Sequence, residues 1–160
     1  MSNVYQRLSE QGLVLPPELV PPPGVVFPFE AVRVVGHRVY ISGHGPQNPD
    51  GSLYAYRGKV GREVTEQQAY EAARLTALSI LGSLHRELGD LNRIVAWNRV
   101  FGMVNAAPGF NRMPAVINGF SDVILSAFGP YIGAHSRSAV GLAELPFDIA
   151  VEVEAEVEIH

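Results

Sequence analysis

The stretch from Val151 to Ile159 alternates without a break. Val151, Val153, Ala155, Val157 and Ile159 share one parity, and Glu152, Glu154, Glu156 and Glu158 the other. A period of two belongs to a strand with one buried and one solvated face. Just upstream, Ser138 to Ala143 reads as a second strand of small and branched residues, with Pro146-Phe147-Asp148 as the turn between the two. That turn tends to carry Arg137 back toward the start of the glutamate face. An arginine and a glutamate in one sheet crevice can hold a carboxylate and a water at once. From spacing alone the pair reads first as a surface ion pair on a solvated strand.

The preceding chain supplies the partners such a strand needs. Val4, Leu8 and Leu13 predict a short amphipathic helix, and Leu15-Pro16-Pro17 with Pro21-Pro22-Pro23-Gly24 then force an extended connector. Residues 1–24 therefore read as an arm on one main domain, residues 25–160. Ala31–Val35 and Arg38–Ser42 predict a hairpin turning at Gly36-His37. Ser42-Gly43-His44-Gly45-Pro46 ends the second strand with glycines that let backbone approach a ligand. A third strand has room before the first long helix. That helix starts at Thr65, with Gln68 completing a capping box, shows a small-residue face from Ala69 to Leu84, and stops at Gly89. Arg93–Val104 predicts an interior strand. Pro114 opens a second helix whose apolar spacing runs to Gly129. Strands with two helices between them imply an α+β sandwich with helices on one face only. The other face needs cover, and assembly of several copies is the simplest source.

Composition narrows the function classes. The 160 residues carry 12 Lys and Arg against 16 Asp and Glu, a formal charge of −4, which disfavours a general binder of phosphate backbones. There is no cysteine, hence no disulfide, thiol nucleophile or thiolate metal site. The N-terminus shows no basic segment followed by an apolar run, and no apolar stretch reads as membrane-spanning. The cytoplasm is the expected compartment by elimination.

The ordered set Ser42-Gly-His-Gly-Pro-Gln-Asn-Pro-Asp-Gly51, Gly89-Asp90-Leu91, and Arg137-Ser-Ala-Val with Leu145-Pro146 and Val151-Glu-Val-Glu154 resembles the Rid family. These are the YjgF-like deaminases of reactive enamines and imines. The Ala107-Pro108-Gly109-Phe110 loop, Val116-Ile117-Asn118-Gly119 and the N-terminal arm are similar to a longer branch of that family. The resemblance implies a chorismate-mutase-like fold and a homotrimeric barrel with sites in inter-subunit clefts, binding a small carboxylate. It implies Arg137 as the carboxylate anchor, Glu152 as the group that orients water, and Ser42, Gly43 and Asn118 as pocket residues. It implies no metal and no organic cofactor; the charge balance and the lack of a membrane-length apolar stretch argue against nucleic acid and membrane as partners. Two departures stand out. Phe29 occupies the place of a pocket tyrosine, and His44 stands where glutamine is common. His135, two residues before the arginine, adds a titratable group near the expected pocket.

Each of these residues also has a plain structural reading. Arg137 can be a solvated strand-end arginine, and the glutamates can simply protect a strand surface. Crowded carboxylates raise one another's pKa, which suits a base near neutral pH. Ser42 lacks the G-x-S-x-G elbow of a serine nucleophile. His44 and His135 read equally as structural residues or acid–base groups, His37, His85 and His160 as surface residues, and no histidine spacing suggests a metal site. Trp97 and Phe101 read as core. Two functions lead, a cofactor-free imine hydrolase and a non-enzymatic trimer that binds small carboxylates. A third that attaches to some relatives, ribonuclease action, is disfavoured by the net negative charge and the absence of Lys/Arg clustering.

Overall fold

The computed structural model of the protein describes residues 3–160. In chain order they form α1 (Val4–Glu10), β1 (Val32–Val35), β2 (Arg38–His44), α2 (Glu66–Leu88), β3 (Ile94–Asn105), α3 (Met113–Ile132), β4 (Ser136–Leu142) and β5 (Val151–Ile159). The strands make one mixed sheet in the order β1-β2-β5-β3-β4. Only β3 and β4 run parallel. The optional third strand does not form, since Gln47–Leu53 and Val60–Val64 make only isolated bridges.

The alternation in β5 does what its period dictates. Val151, Val153 and Val157 are fully buried on one face, and Glu152, Glu154, Glu156 and Glu158 project from the other. Each buried valine contributes roughly 1.5–3 kcal/mol through loss of apolar surface, which locks the register: a slip of one residue would bury four glutamates. The valine face is covered by α2 and α3. Thr65 accepts from the Gln68 amide while the Gln68 side chain accepts from Thr65 N–H, closing the capping box, and Gly89 ends the helix at φ +77°. The two helices touch where Gly119 meets the Tyr70 carbonyl, and any Cβ there would collide with it. The second helix runs to Phe128, breaks at Gly129 (φ 81°, ψ 175°) before Pro130, and adds one turn to Ile132.

Two expectations need correction here. By length and composition α3 is apolar enough to cross a bilayer, with a hydropathy of 1.3. Its apolar residues Val116, Ile117, Phe120, Ile124 and Ala127 are instead the layer packed on the sheet and α2. Trp97 is core, edge-on to Phe120 and Phe128, but Phe101 is not beside it. A pairing irregularity between Trp97 and Arg99 shifts the parity of β3, so Phe101 emerges on the glutamate face.

The arm follows the main domain closely. Val4 and Leu8 are buried, Leu13 and Leu15 lie against the core, and the Pro16 carbonyl accepts from Arg86 on α2. Val25, Val26, Phe27 and Phe29 then pass, partly exposed, along the hairpin side of the glutamate face. Among the described residues no α-helix covers that face.

Candidate functional site

Beside Glu152 the pairing of β2 with β5 slips between Ile41 and His44. The slip turns Gly43 toward the glutamate, so closely that a Cβ on Gly43 would overlap Oε2, and turns His44 toward α2. Glu152 is half-buried. Its carboxyl is pushed above the usual glutamate range, first by burial and then by the neighbouring charge of Glu154. Above it opens a cleft of about 840 Å³, lined among others by Phe29, Ser42, Gly43, His44, Phe147 and Glu152. A second hollow shares Phe29 and Ser42 and extends over Arg33, Tyr40, Arg99, Glu154 and Glu156.

The cleft's polar groups are already assigned. Ser42 Oγ donates to the Glu30 carbonyl at 2.7 Å, which leaves its lone pairs to accept from a ligand. The Ser42 carbonyl lies 2.6 Å from His44 Nδ1, so that nitrogen carries the proton, and Nε2 accepts from Ser83 Oγ at 2.8 Å. Burial holds His44 below the usual histidine range; the Ser42 carbonyl opposes this and the Arg86 charge reinforces it. Bonded at both nitrogens, His44 forms part of the cleft wall. Phe147 on the rim was missed as a site residue. It and Asp148 take left-handed φ of 58° and 57°, conformations that cost non-glycine residues about 1 kcal/mol or more. The only sequence signal for it was the Pro-Phe-Asp turn.

A second cluster forms at β4. Arg137 Nη1 donates to Ser121 Oγ at 3.0 Å, and Nη2 donates to Asn118 Oδ1 at 2.8 Å and to the Pro114 carbonyl at 3.1 Å. His135 joins it, with Nε2 2.9 Å from Ser121 Oγ and Nδ1 2.7 Å from the Gly133 carbonyl. Ser121 is nearly buried between them.

A sheet of this order, with two long helices on one face and the sequence set read above, can be compared with known proteins. Residues 6–154 match the family described as "YjgF/chorismate mutase-like, putative endoribonuclease". The chain belongs to the YjgF family. A curated relative, Protein TCP17 of Trypanosoma cruzi, is 36% identical over 99% of this chain and 95% of its own length. A solved protein of unknown function from Agrobacterium tumefaciens is 36% identical, with a TM-score of 0.85 over 98% of this chain and 91% of that one. A Shewanella oneidensis structure described as "a putative endoribonuclease" gives a TM-score of 0.88 at 30% identity, over 99% of this chain and all of that one. The matched region includes most of α1 and the whole Pro-rich arm.

Within that YjgF fold the expected site residues fall into two groups. Phe29, Ser42, Gly43, His44 and Glu152 meet at the cleft, whereas Asn118, His135 and Arg137 meet at β4. The expectation that the Pro146 turn returns Arg137 to the glutamate face is overturned. β4 pairs with β3 and not with β5, so β3 stands between the two residues. Parity then separates them by face. Arg137 lies opposite Val100, which lies opposite Ala155 on the helix side, while Glu152 lies opposite Met103 and Val140 on the open side. The surface ion pair is excluded by the same geometry. Among the described residues no cluster of three His, Asp or Glu side chains has the arrangement of metal ligands.

Proposed function

We propose that the protein is a cofactor-free hydrolase of enamines and imines of the 2-aminoacrylate type, working as a homotrimer. In each inter-subunit cleft the Glu152 group of one protomer would face the Arg137 group of the next. The observation that carries this reading is the half-buried Glu152, its pKa raised, held against Gly43 at the floor of an open cleft. A carboxylate so placed is a base with no hydrogen-bond or ion-pair partner among the described residues, as water activation requires.

The chemistry needs little more. The substrate is anchored by its carboxylate on Arg137 and tautomerises to the imine, whose carbon is electrophilic. Glu152 takes a proton from water as the oxygen adds to that carbon, and the C=N electron pair collects a proton at nitrogen. Glu152 returns its proton to that nitrogen as the C–N bond of the carbinolamine breaks. The hydroxyl proton passes to solvent, which supplied the earlier proton at nitrogen, as C=O forms. The balance is one enamine and one water giving one 2-keto acid and one ammonia. Holding three groups in register supplies most of the acceleration.

A second reading rests on Phe29. It lines the cleft where a hydroxyl would help hold water or substrate, and its absence favours a trimer that binds small carboxylates without turning them over. The endoribonuclease descriptions of the family and of the Shewanella relative sit poorly with a charge of −4. The deciding experiment generates imino acids in place with an amino-acid oxidase and follows keto-acid release. Release faster than in buffer supports the hydrolase. No acceleration, with carboxylates still raising thermal stability, supports the binder.

A further inference from the structure

The Arg137 cluster contains more than an anchor, and its hydrogen bonds have a direction. A carbonyl only accepts, so the 2.7 Å contact with Gly133 O fixes the His135 proton on Nδ1. In the neutral ring Nε2 is then a bare acceptor, and the Ser121 hydroxyl must donate to it. The Ser121 lone pairs are thereby left for Arg137 Nη1, 3.0 Å away. The other terminal nitrogen is fully used. Its two N–H groups serve Pro114 O and Asn118 Oδ1. Both edges of a guanidinium that can grip a carboxylate bidentately include this nitrogen. A bidentate ligand must therefore displace one of its two partners. Pro114 O is backbone in the first turn of α3, while Asn118 is an exposed side chain free to swing away.

We infer that Ser121 and His135 are positioning residues that hold the Arg137 guanidinium in one plane, and that Asn118 Oδ1 occupies the place of a ligand carboxylate oxygen until the ligand arrives. This rests on the reading of Arg137 as the carboxylate anchor. It reassigns Asn118 from substrate contact to occupant of an empty seat, and of the two readings of His135 it takes the structural one.

The test reads the guanidinium directly. In ¹⁵N spectra of the ligand-free protein, Arg137 should show resolved, slowly exchanging Nη signals. His135→Leu should merge them and weaken pyruvate binding about tenfold, the value of one hydrogen bond to a charged group. His135→Gln, whose amide oxygen can accept from Ser121, should restore both. Ser121→Ala should act as His135→Leu does, with little change in melting temperature. Asn118→Ala should tighten pyruvate binding, because no contact has to be broken first. Unchanged signals in both His135→Leu and Ser121→Ala overturn the brace, as does failure of His135→Gln to restore them in a folded protein. Weaker binding in Asn118→Ala overturns its role as occupant. None of these readouts needs turnover, so loss of the hydrolase reading does not decide them. If wild type binds no pyruvate, the anchor fails, the Nη signals still decide the brace, and binding gained by Asn118→Ala, or its absence, decides the occupant.

Discussion

Glu152 and Arg137 project from opposite faces of one sheet, with β3 between their strands. A ligand held by both must then lie between two copies of the chain. Under the proposed function, assembly is then more than cover for the open face of the sheet; the chemistry requires it. The assembled mass should be three times the 17.3 kDa chain. The sharper check mixes two inactive variants. When Arg137→Ala and Glu152→Gln protomers are unfolded together and refolded in equal amounts, about a quarter of the clefts should combine an intact Glu152 with an intact Arg137. Activity should recover to about that fraction. No recovery from correctly assembled mixtures would mean that each site belongs to one chain.

The single variants should fail differently. Arg137→Ala should weaken carboxylate binding by roughly 2–4 kcal/mol, the usual loss when one partner of a buried charge pair is removed. Its turnover should fall as well, since the imine is no longer placed against the water. Glu152→Gln keeps the shape and loses the base, so affinity should stay near wild type while turnover falls by about two orders of magnitude. Calorimetry and initial rates separate the two. Wild-type behaviour in both would remove the residues from the site.

Burial of Glu152 also sets a pH dependence whose sign can be worked out. The folded protein favours the protonated carboxyl, so its pKa lies above the unfolded value. Below the unfolded pKa the group costs the fold nothing. As pH rises toward and through the folded pKa the penalty grows, and above it the penalty is complete. Glu152→Gln should therefore raise the melting temperature at neutral pH, with the gain fading as pH falls to the ordinary glutamate range. The acid limb of the wild-type rate should report the same raised pKa and be missing in the variant. A melting temperature lowered at neutral pH would show that the carboxylate is stabilised by a partner.

Most of the fold was legible because local signals agreed. The capping box at Thr65, the stop at Gly89 and the alternation of β5 each depend on a few neighbouring residues, and each appears where it was read. Which residues gather around Glu152 was partly legible, and their relation to the Arg137 group was not. Gly43, Ser42 and Glu152 do share a cleft, but the relation of Arg137 to Glu152 depends on which strand β4 joins. A short turn suggests a hairpin with β5, yet β4 pairs in parallel with β3 after the α3 crossover. Chain proximity gives no information about that choice. Phe101 was misplaced for a related reason, since an irregularity in β3 reverses parity without leaving a mark in composition. His44 and His135 could not be assigned until the carbonyls beside their Nδ1 atoms were located.

Phe29 offers a test by addition. It is more than half exposed and lines the cleft, so an added hydroxyl has room and solvent nearby. Phe29→Tyr should leave stability within about 0.5 kcal/mol, as for surface changes that touch no special feature. On 2-aminoacrylate-like substrates it should raise turnover. Unchanged turnover would favour a site shaped for another ligand.

Gly43 tests the position of the base without changing the base. Its backbone conformation is open to alanine, but the new Cβ would occupy the space of Glu152 Oε2. The far end of a half-exposed glutamate can move aside cheaply, so the fold should tolerate Gly43→Ala with a small change in melting temperature. The carboxylate would then leave the cleft floor. A misplacement of about 1 Å in a catalytic group can cost a factor of about one hundred in rate, so turnover should fall nearly as far as in Glu152→Gln. Carboxylate affinity should hold, because the anchoring Arg137 belongs to the neighbouring protomer and the change leaves it untouched. Full activity in Gly43→Ala would mean that water is activated somewhere other than at Glu152.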